Sequence, residues 1–468
     1  MQVKRKRHHT EPFRLPIQKE GFTIDDEISH LTKLRSEPCE KMRRGMPNGR
    51  KLPISTAKMI AGREANLSGR GKFSSADCSH VLGRYLPVND LWCFDGMDSK
   101  AYVSQFSADG SVLVAGFQAS RIKIYNVDNG LKLQKDIIAK SLEWTITDTS
   151  LSPDQRNLVY SSLSPLVHIV NVETAGTESH ANITDIHDGL DFSEHENDDF
   201  SFGIFSVKFS TDGRELVAGS NDDAIYIYDL EANKVTSRFE AHLDDVNTVT
   251  FADETGNLIY SGSDDTLCKI WDRRCFFTRG GPAGVLSGHT EGITFIDSRR
   301  DGRYFISNGK DQSIKLWDIR RLSTDANSSR PRASLWDYRL SAYPREYRYL
   351  RHPNDQSLAT YRGHSVLRTL IRCYFSPAHS TGQRYIYTGS HDKHVYIYDV
   401  VTGDQVAKLA FHNAVIRDCS WHPYYPMLVS SSWDCQIARW QFSGSDAVPS
   451  VVDNKRHRRQ QAEQRTLP

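Results

Sequence analysis

The chain has 468 residues, and its 59 Lys and Arg nearly balance 58 Asp and Glu, for a net charge of +1. No run approaches the roughly 18 apolar residues a membrane helix needs, and the polar start lacks the pattern of a signal peptide. The eight cysteines stand singly, without zinc or disulfide spacing, which argues against a cysteine-stapled secreted domain and for reduced thiols in cytosol or nucleus.

The small net charge conceals segregation along the chain. Residues 1–72 hold 17 Lys and Arg against 8 Asp and Glu, a net of +9. A basic arm over residues 1–80 is therefore expected to stay largely disordered until something orders it. Its opening VKRKRHH, from Val3, and the KRHRR of the tail, Lys455 to Arg459, read as nuclear localisation elements. They place the protein in the nucleus, with the cytoplasm also open. Within the arm, Ile28, Leu31 and Leu34 have the spacing of a short helix.

From Tyr102 onward one plan recurs, a pair of strands ending on an aromatic or β-branched residue. The first two copies, Tyr102 to Asn126 and Ile146 to Asn171, keep the period-two alternation and an SxDG or SPD turn. Sharper copies are Leu216 to Leu230, Leu258 to Asp272, Tyr304 to Asp318 and Tyr385 to Asp399, and a seventh ends at Trp440. Their closing positions, Tyr125, Val170, Tyr228, Trp271, Trp317, Tyr398 and Trp440, are 45, 58, 43, 46, 81 and 42 residues apart. The two long intervals contain insertions. Residues 173–200 carry nine Asp or Glu and no Lys or Arg, and are expected to form a projecting loop. Residues 321–361 are rich in Arg, Tyr and Pro, and there Trp336, Arg339 and Tyr343 are the candidate partner-binding residues, because Arg and large aromatics dominate interface hot spots; stacking on single-stranded nucleic acid and simple packing on the propeller edge are the other readings of the segment. After Trp440 the chain turns polar too soon for an outer strand, so residues around Val81 to Phe94 should supply it.

Fixed offsets run through the sharp copies. Six residues before the closing aromatic stand Asp265, Asp311, Asp392 and Asp434, and ten before it stand Ser261, Ser307, Thr388 and Ser430. His242, His289, His364 and His412 lie in the loops upstream. With Trp271, Trp317 and Trp440, this pattern resembles the structural tetrad of the WD40 family, whose period is roughly 40–45 residues. The resemblance implies an all-β, seven-bladed WD40 propeller over 81–442, followed by a short basic tail at 443–468. A Ser-His-Asp catalytic reading fails because the set recurs four times at structural spacing. GxGxxG, GxSxG and HExxH are all missing, so neither an enzyme nor a metal or other cofactor is expected.

Two copies continue identically past the closing Trp: Trp271-Asp272-Arg273-Arg274 and Trp317-Asp318-Ile319-Arg320, both WDxR. These resemble the DWD box, and GHSVLRTLIRC, from Gly363, with WDYR at Trp336 to Arg339, is similar to the DDB-cullin-associated factors and their plant counterparts. That resemblance implies a substrate receptor of a cullin-RING ubiquitin ligase. Arg274 and Arg320, oriented with the help of Asp272 and Asp318, would dock on the DDB adaptor and ligase core. The opposite face and the central opening would hold an unknown protein substrate. It also suggests that the helix at Ile28 to Leu34 orders on the adaptor. Neither nucleic acid nor membrane is expected as a partner. A WD40 scaffold of a nuclear complex unrelated to ubiquitin remains the alternative.

Overall fold

The computed structural model describes residues 24, 26–36, 86–88, 90–172, 187–193, 202–275, 281–322 and 336–442. The two basic clusters, the tail and most of the acidic insertion lie outside them. Seven four-stranded antiparallel sheets follow one another along the chain. Six use consecutive strands: blade 1 at 101–138, blade 2 at 148–191, blade 3 at 204–240, blade 4 at 248–286, blade 5 at 293–362 and blade 6 at 373–410. Blade 7 takes three strands from 416–441 and its fourth, Asp90–Gly96, from the other end of the sequence, setting Leu91 opposite Trp440 and Cys93 opposite Ala438. First strands of neighbouring blades touch around a closed ring, so no blade is left at an open end. Among the described residues no helix is long and apolar enough to cross a bilayer.

The burial pattern follows from stacking. In blade 5 the second and third strands, Tyr304–Gly309 and Ser313–Asp318, are buried throughout because neighbouring blades cover both their faces. The outer strand of blade 3, Lys234–Glu240, alternates between half-buried and exposed, as a strand with one wet face does. Between first and second strands, Asp109 and Asp212 accept backbone N–H groups two residues on. Gly110 and Gly213 then take φ of 79° and 75°, a conformation that strains residues bearing a Cβ.

Two expectations need correction, and a third segment resolves between its readings. The acidic stretch is not all loop, since His187–Asp191 forms the outer strand of blade 2, with Leu190 opposite Val167. In the second insertion, Ala359–Arg362 is the outer strand of blade 5, and residues 336–358 are packed against the propeller. In the basic arm, helix α1 (Asp26–Ser36) lies on the propeller itself, against blades 5 and 6. Ile28 and Thr32, four residues apart on one helical face, are fully buried. Thr32 meets the buried Arg299 at 3.1 Å, and Arg35 donates to Gln383 at 3.0 Å. Helix α2 (Ala378–Thr381) ends beneath α1 at Gly382, where an added Cβ would lie 2.6 Å from the Arg35 carbonyl oxygen. Leu34 stays 56% exposed.

Candidate functional site

The recurrent polar residues form closed hydrogen-bond chains in three blades. In blade 4, Trp271 Nε1 donates to Ser261 Oγ (2.9 Å), Ser261 faces His242 Nε2 (2.7 Å), and His242 Nδ1 faces Asp265 (2.8 Å). Blade 5 repeats the chain through Trp317, Ser307, His289 and Asp311 at 2.7, 2.6 and 3.0 Å. Blade 7 does so through Trp440, Ser430, His412 and Asp434 at 2.9, 2.8 and 3.0 Å. Each serine is fully buried and engaged on both sides, which equips it to join strands rather than attack a substrate. Burial pushes His242 below the usual histidine range. Burial alone would raise Asp265, but the His242 hydrogen bond holds it low.

Blade 6 does not assemble its expected tetrad. His364 Nε2 meets Asn308 Oδ1 of blade 5 at 3.0 Å, and its Nδ1 faces the Tyr398 hydroxyl at 3.2 Å. Thr388 instead donates to the Arg372 carbonyl (2.8 Å), while Asp392 accepts from Tyr396 (2.6 Å) and Lys408 (3.0 Å). The cause is the closing residue. Tyr398 brings a hydroxyl to the histidine ring and offers no indole N–H to Thr388, so Thr388 and Asp392 find other partners.

The central opening is also not free. Arg372, leading into blade 6, reaches across the axis to the Thr147 carbonyl and to Asp148 of blade 2, both at 2.8 Å, and lies 3.4 Å from Asp418 of blade 7. Arg417 joins the Tyr102 carbonyl of blade 1 (2.7 Å) to that of Thr147 (2.9 Å). Lys208 of blade 3 and Tyr374 of blade 6 complete the network on Asp148 and Asp418 at 2.7 and 2.8 Å. Burial would raise Asp148, but Arg372 and Lys208 hold it down at about 2. Burial, then the charge of Arg372, lowers Arg417 to about 10. These residues were not singled out in the sequence. Their signal is a charge inside a first strand, as at Asp148, Lys208 and Asp418. Asp222 was also overlooked: it stands six residues before Tyr228, but Ala218 lacks the hydroxyl a tetrad needs, and Asp222 instead binds Tyr226 and Arg238 at 2.6 and 2.9 Å.

Arg274 and Arg320 both lie just beyond the ends of third strands, in matching single turns of 3-10 helix on the same rim. Arg274 is gripped in two places by Asp272 (2.9 and 2.7 Å), yet 67% of its side chain is exposed. Beside it opens a shallow cleft of about 260 Å³ lined by Glu215, Ile227 and Asn257. Arg320 is 65% exposed and lies 3.6 Å from Glu27 of α1. Asp318 is buried, accepts the Arg320 backbone N–H at 3.0 Å, and binds Arg303 at 2.7 Å, while Arg303 also clamps Glu27. The helix and the second arginine thus share one stretch of rim.

Trp336 and Tyr343 come together at the opposite end of the blades, while Arg339 pairs with Asp337 at 3.1 Å. The Trp336 and Tyr343 rings meet edge to face at 4.9 Å, and Trp336 donates to the Ala342 carbonyl at 3.0 Å. Tyr338 lies over Lys310 (4.0 Å), in the loop between the second and third strands of blade 5.

The WD domain, G-beta repeat family matches this chain at residues 190–229, 233–272, 280–318, 355–399 and 403–441. LEC14B protein of Lithospermum erythrorhizon is 63% identical over 95% of this chain and 94% of its own length. The chain belongs to the WD40-repeat family that includes LEC14B. An LEC14B homolog of Prunus armeniaca is 66% identical over 93% of this chain and 92% of its own. A DDB1- and CUL4-associated factor 11 homolog of Caenorhabditis elegans is 35% identical over 82% of this chain and 68% of its own. Family matches begin in the outer strand of the preceding blade, as at 190–229, so the sequence repeat is offset from the blade by one strand. Blade 1 and most of blade 2 fall outside the matches, where Val170 closes a copy that lacks the aromatic residue.

Proposed function

We propose that the chain is the substrate-receptor subunit of a cullin-RING ubiquitin ligase, acting in the nucleus, and that it docks on the DDB1 adaptor through Arg274 and Arg320. The relative named DDB1- and CUL4-associated factor 11 homolog, similar along most of this chain, carries the reading. The rim geometry supports it. Two arginines at equivalent positions of adjacent blades offer planar donor forks to one partner surface, and Asp272 already orients the first. Glu27 and the exposed Leu34 extend that surface onto α1. The receptor would itself make or break no bond; it raises the effective concentration of substrate lysines beside a recruited ubiquitin-conjugating enzyme.

The test is the affinity of purified chain for purified DDB1. Changing Arg274 and Arg320 to Ala should cost on the order of 1.5–3 kcal/mol per arginine if both are buried in the complex. An unchanged Kd in a double variant with an unchanged melt would overturn the docking assignment.

A further inference from the structure

We propose that the surface over blades 5 and 6, on the face away from Arg274 and Arg320, binds a carboxylate-rich segment of a partner protein, with an apolar side chain of that segment seated on Leu340. This deepens the receptor reading by naming the chemistry of the substrate, and rests on it for the word substrate.

Six exposed arginines belong to this stretch of chain. Arg339, Arg345, Arg348 and Arg351 come from the insertion and Arg362 and Arg368 from the chain that follows it, all exposed. The last two fasten the insertion down: Arg368 donates to the Arg339 carbonyl (3.0 Å) and Arg362 to the carbonyls of Arg348 (3.2 Å) and Asp311 (3.3 Å). Arg339 is paired with Asp337 at 3.1 Å. Among the described residues no carboxylate is paired with the other five. Leu340, next to Arg339 in the chain, is 73% exposed. Arg345, Arg348 and Arg351 have no such fastening role among the described residues, and an anionic segment with an apolar side chain would satisfy both these guanidinium groups and the exposed leucine.

Two observations narrow the partner. Single-stranded nucleic acid would need open aromatic faces for base stacking. Here the Trp336 and Tyr343 rings are engaged with each other edge to face, and the Tyr338 ring is covered by Lys310. On the blade 3 and 4 side of the same face, the carboxylates of Asp223, Asp244 and Asp245 lie within 4.8 Å of one another. Their repulsion confines an anionic segment to the arginine side and so fixes its placement.

The experiment measures fluorescence anisotropy of the full chain with three labelled probes: a Glu-rich peptide with a central leucine, its Gln counterpart, and an oligouridylate. The Glu peptide should bind, weakening as salt rises. Charge reversal of Arg345, Arg348 and Arg351 to Glu should weaken it about tenfold, the sum expected of three partly exposed pairs. Their replacement by Lys should keep most of the binding, and Leu340→Ser should cost a few-fold. Equal binding of the Glu and Gln peptides, an unaffected charge-reversed variant with a normal melt, or preference for the oligouridylate would overturn the proposal. DDB1 affinity is measured on the same samples. If the wild-type chain binds the Glu peptide but not DDB1, the receptor reading falls while the anion-binding surface stands.

Discussion

On the axis, Arg372 and Arg417 are buried, and the carboxylates and carbonyls they meet belong to blades 1, 2 and 7. On the rim, Arg274 and Arg320 are about two-thirds exposed and fold back on Asp272 and Glu27. One residue type thus serves two purposes. A buried arginine leaves costly orphan charges when removed, so it commits the fold; an exposed one contributes little to stability and stays available to a partner.

The largest expected effect comes from breaking the axis. Arg372→Met leaves Asp148 and Asp418 short of a counter-charge and should cost about 3–5 kcal/mol in urea unfolding. Adding Asp148→Asn should restore part of that; a double variant no better than the single one would show that the charge is not what matters. Next comes pH. Burial lowers His364 to about 4 in the folded state, against about 6.5 unfolded. Its neutral form therefore supports stability fully above about pH 6.5, and that support is lost as pH falls toward 4, by at most about 3 kcal/mol. His364→Gln should flatten the stability profile in that window without abolishing it, because His242 is lowered too. The aspartates of the tetrads act in a lower window, below their unfolded pKa.

A smaller difference separates blades 5 and 6. Ser307→Ala strips the Trp317 indole and His289 of a shared partner and should cost about 1–3 kcal/mol, whereas Thr388→Val, which loses one bond to a carbonyl, should cost about 1 kcal/mol or less. Equal costs would contradict the hydrogen-bond pattern. At the bottom of the scale, the Arg274 and Arg320 double variant should change stability by less than about 0.5 kcal/mol while weakening DDB1 binding. Replacing Lys4 to Arg7 and Lys455, Arg456, Arg458 and Arg459 by Ser should affect neither; imaging a fluorescent fusion should show it moving from nucleus to cytoplasm.

The blade count, three tetrads and the closing strand were legible because each depends on local spacing: a period near 43 residues, offsets of six and ten, and a seventh copy lacking a strand. Blade 6 misled because Asp392 and Thr388 keep the offsets while Tyr398 changes the geometry that gives them meaning. The axis network was hidden for another reason. Arg372 and Asp148 are 224 positions apart, and only ring closure brings them together. Helix α1 was readable as a helix but not as part of the propeller, because Arg299 and Gln383 reveal their role only once blades 5 and 6 are side by side.

Closure by Asp90–Gly96 also sets a clock on synthesis. Gly96 pairs with Gln436, 340 residues later. At 5–20 residues per second, a strand emerging from the ribosome waits roughly 20–70 s for its partner. Through that interval the nascent chain carries an unsatisfied backbone edge with the exposed Trp92 on it, a template for wrong pairing with other chains. A message cut short before Gln441 would leave that edge open permanently, so partial products should go to chaperones and proteases rather than persist as smaller propellers.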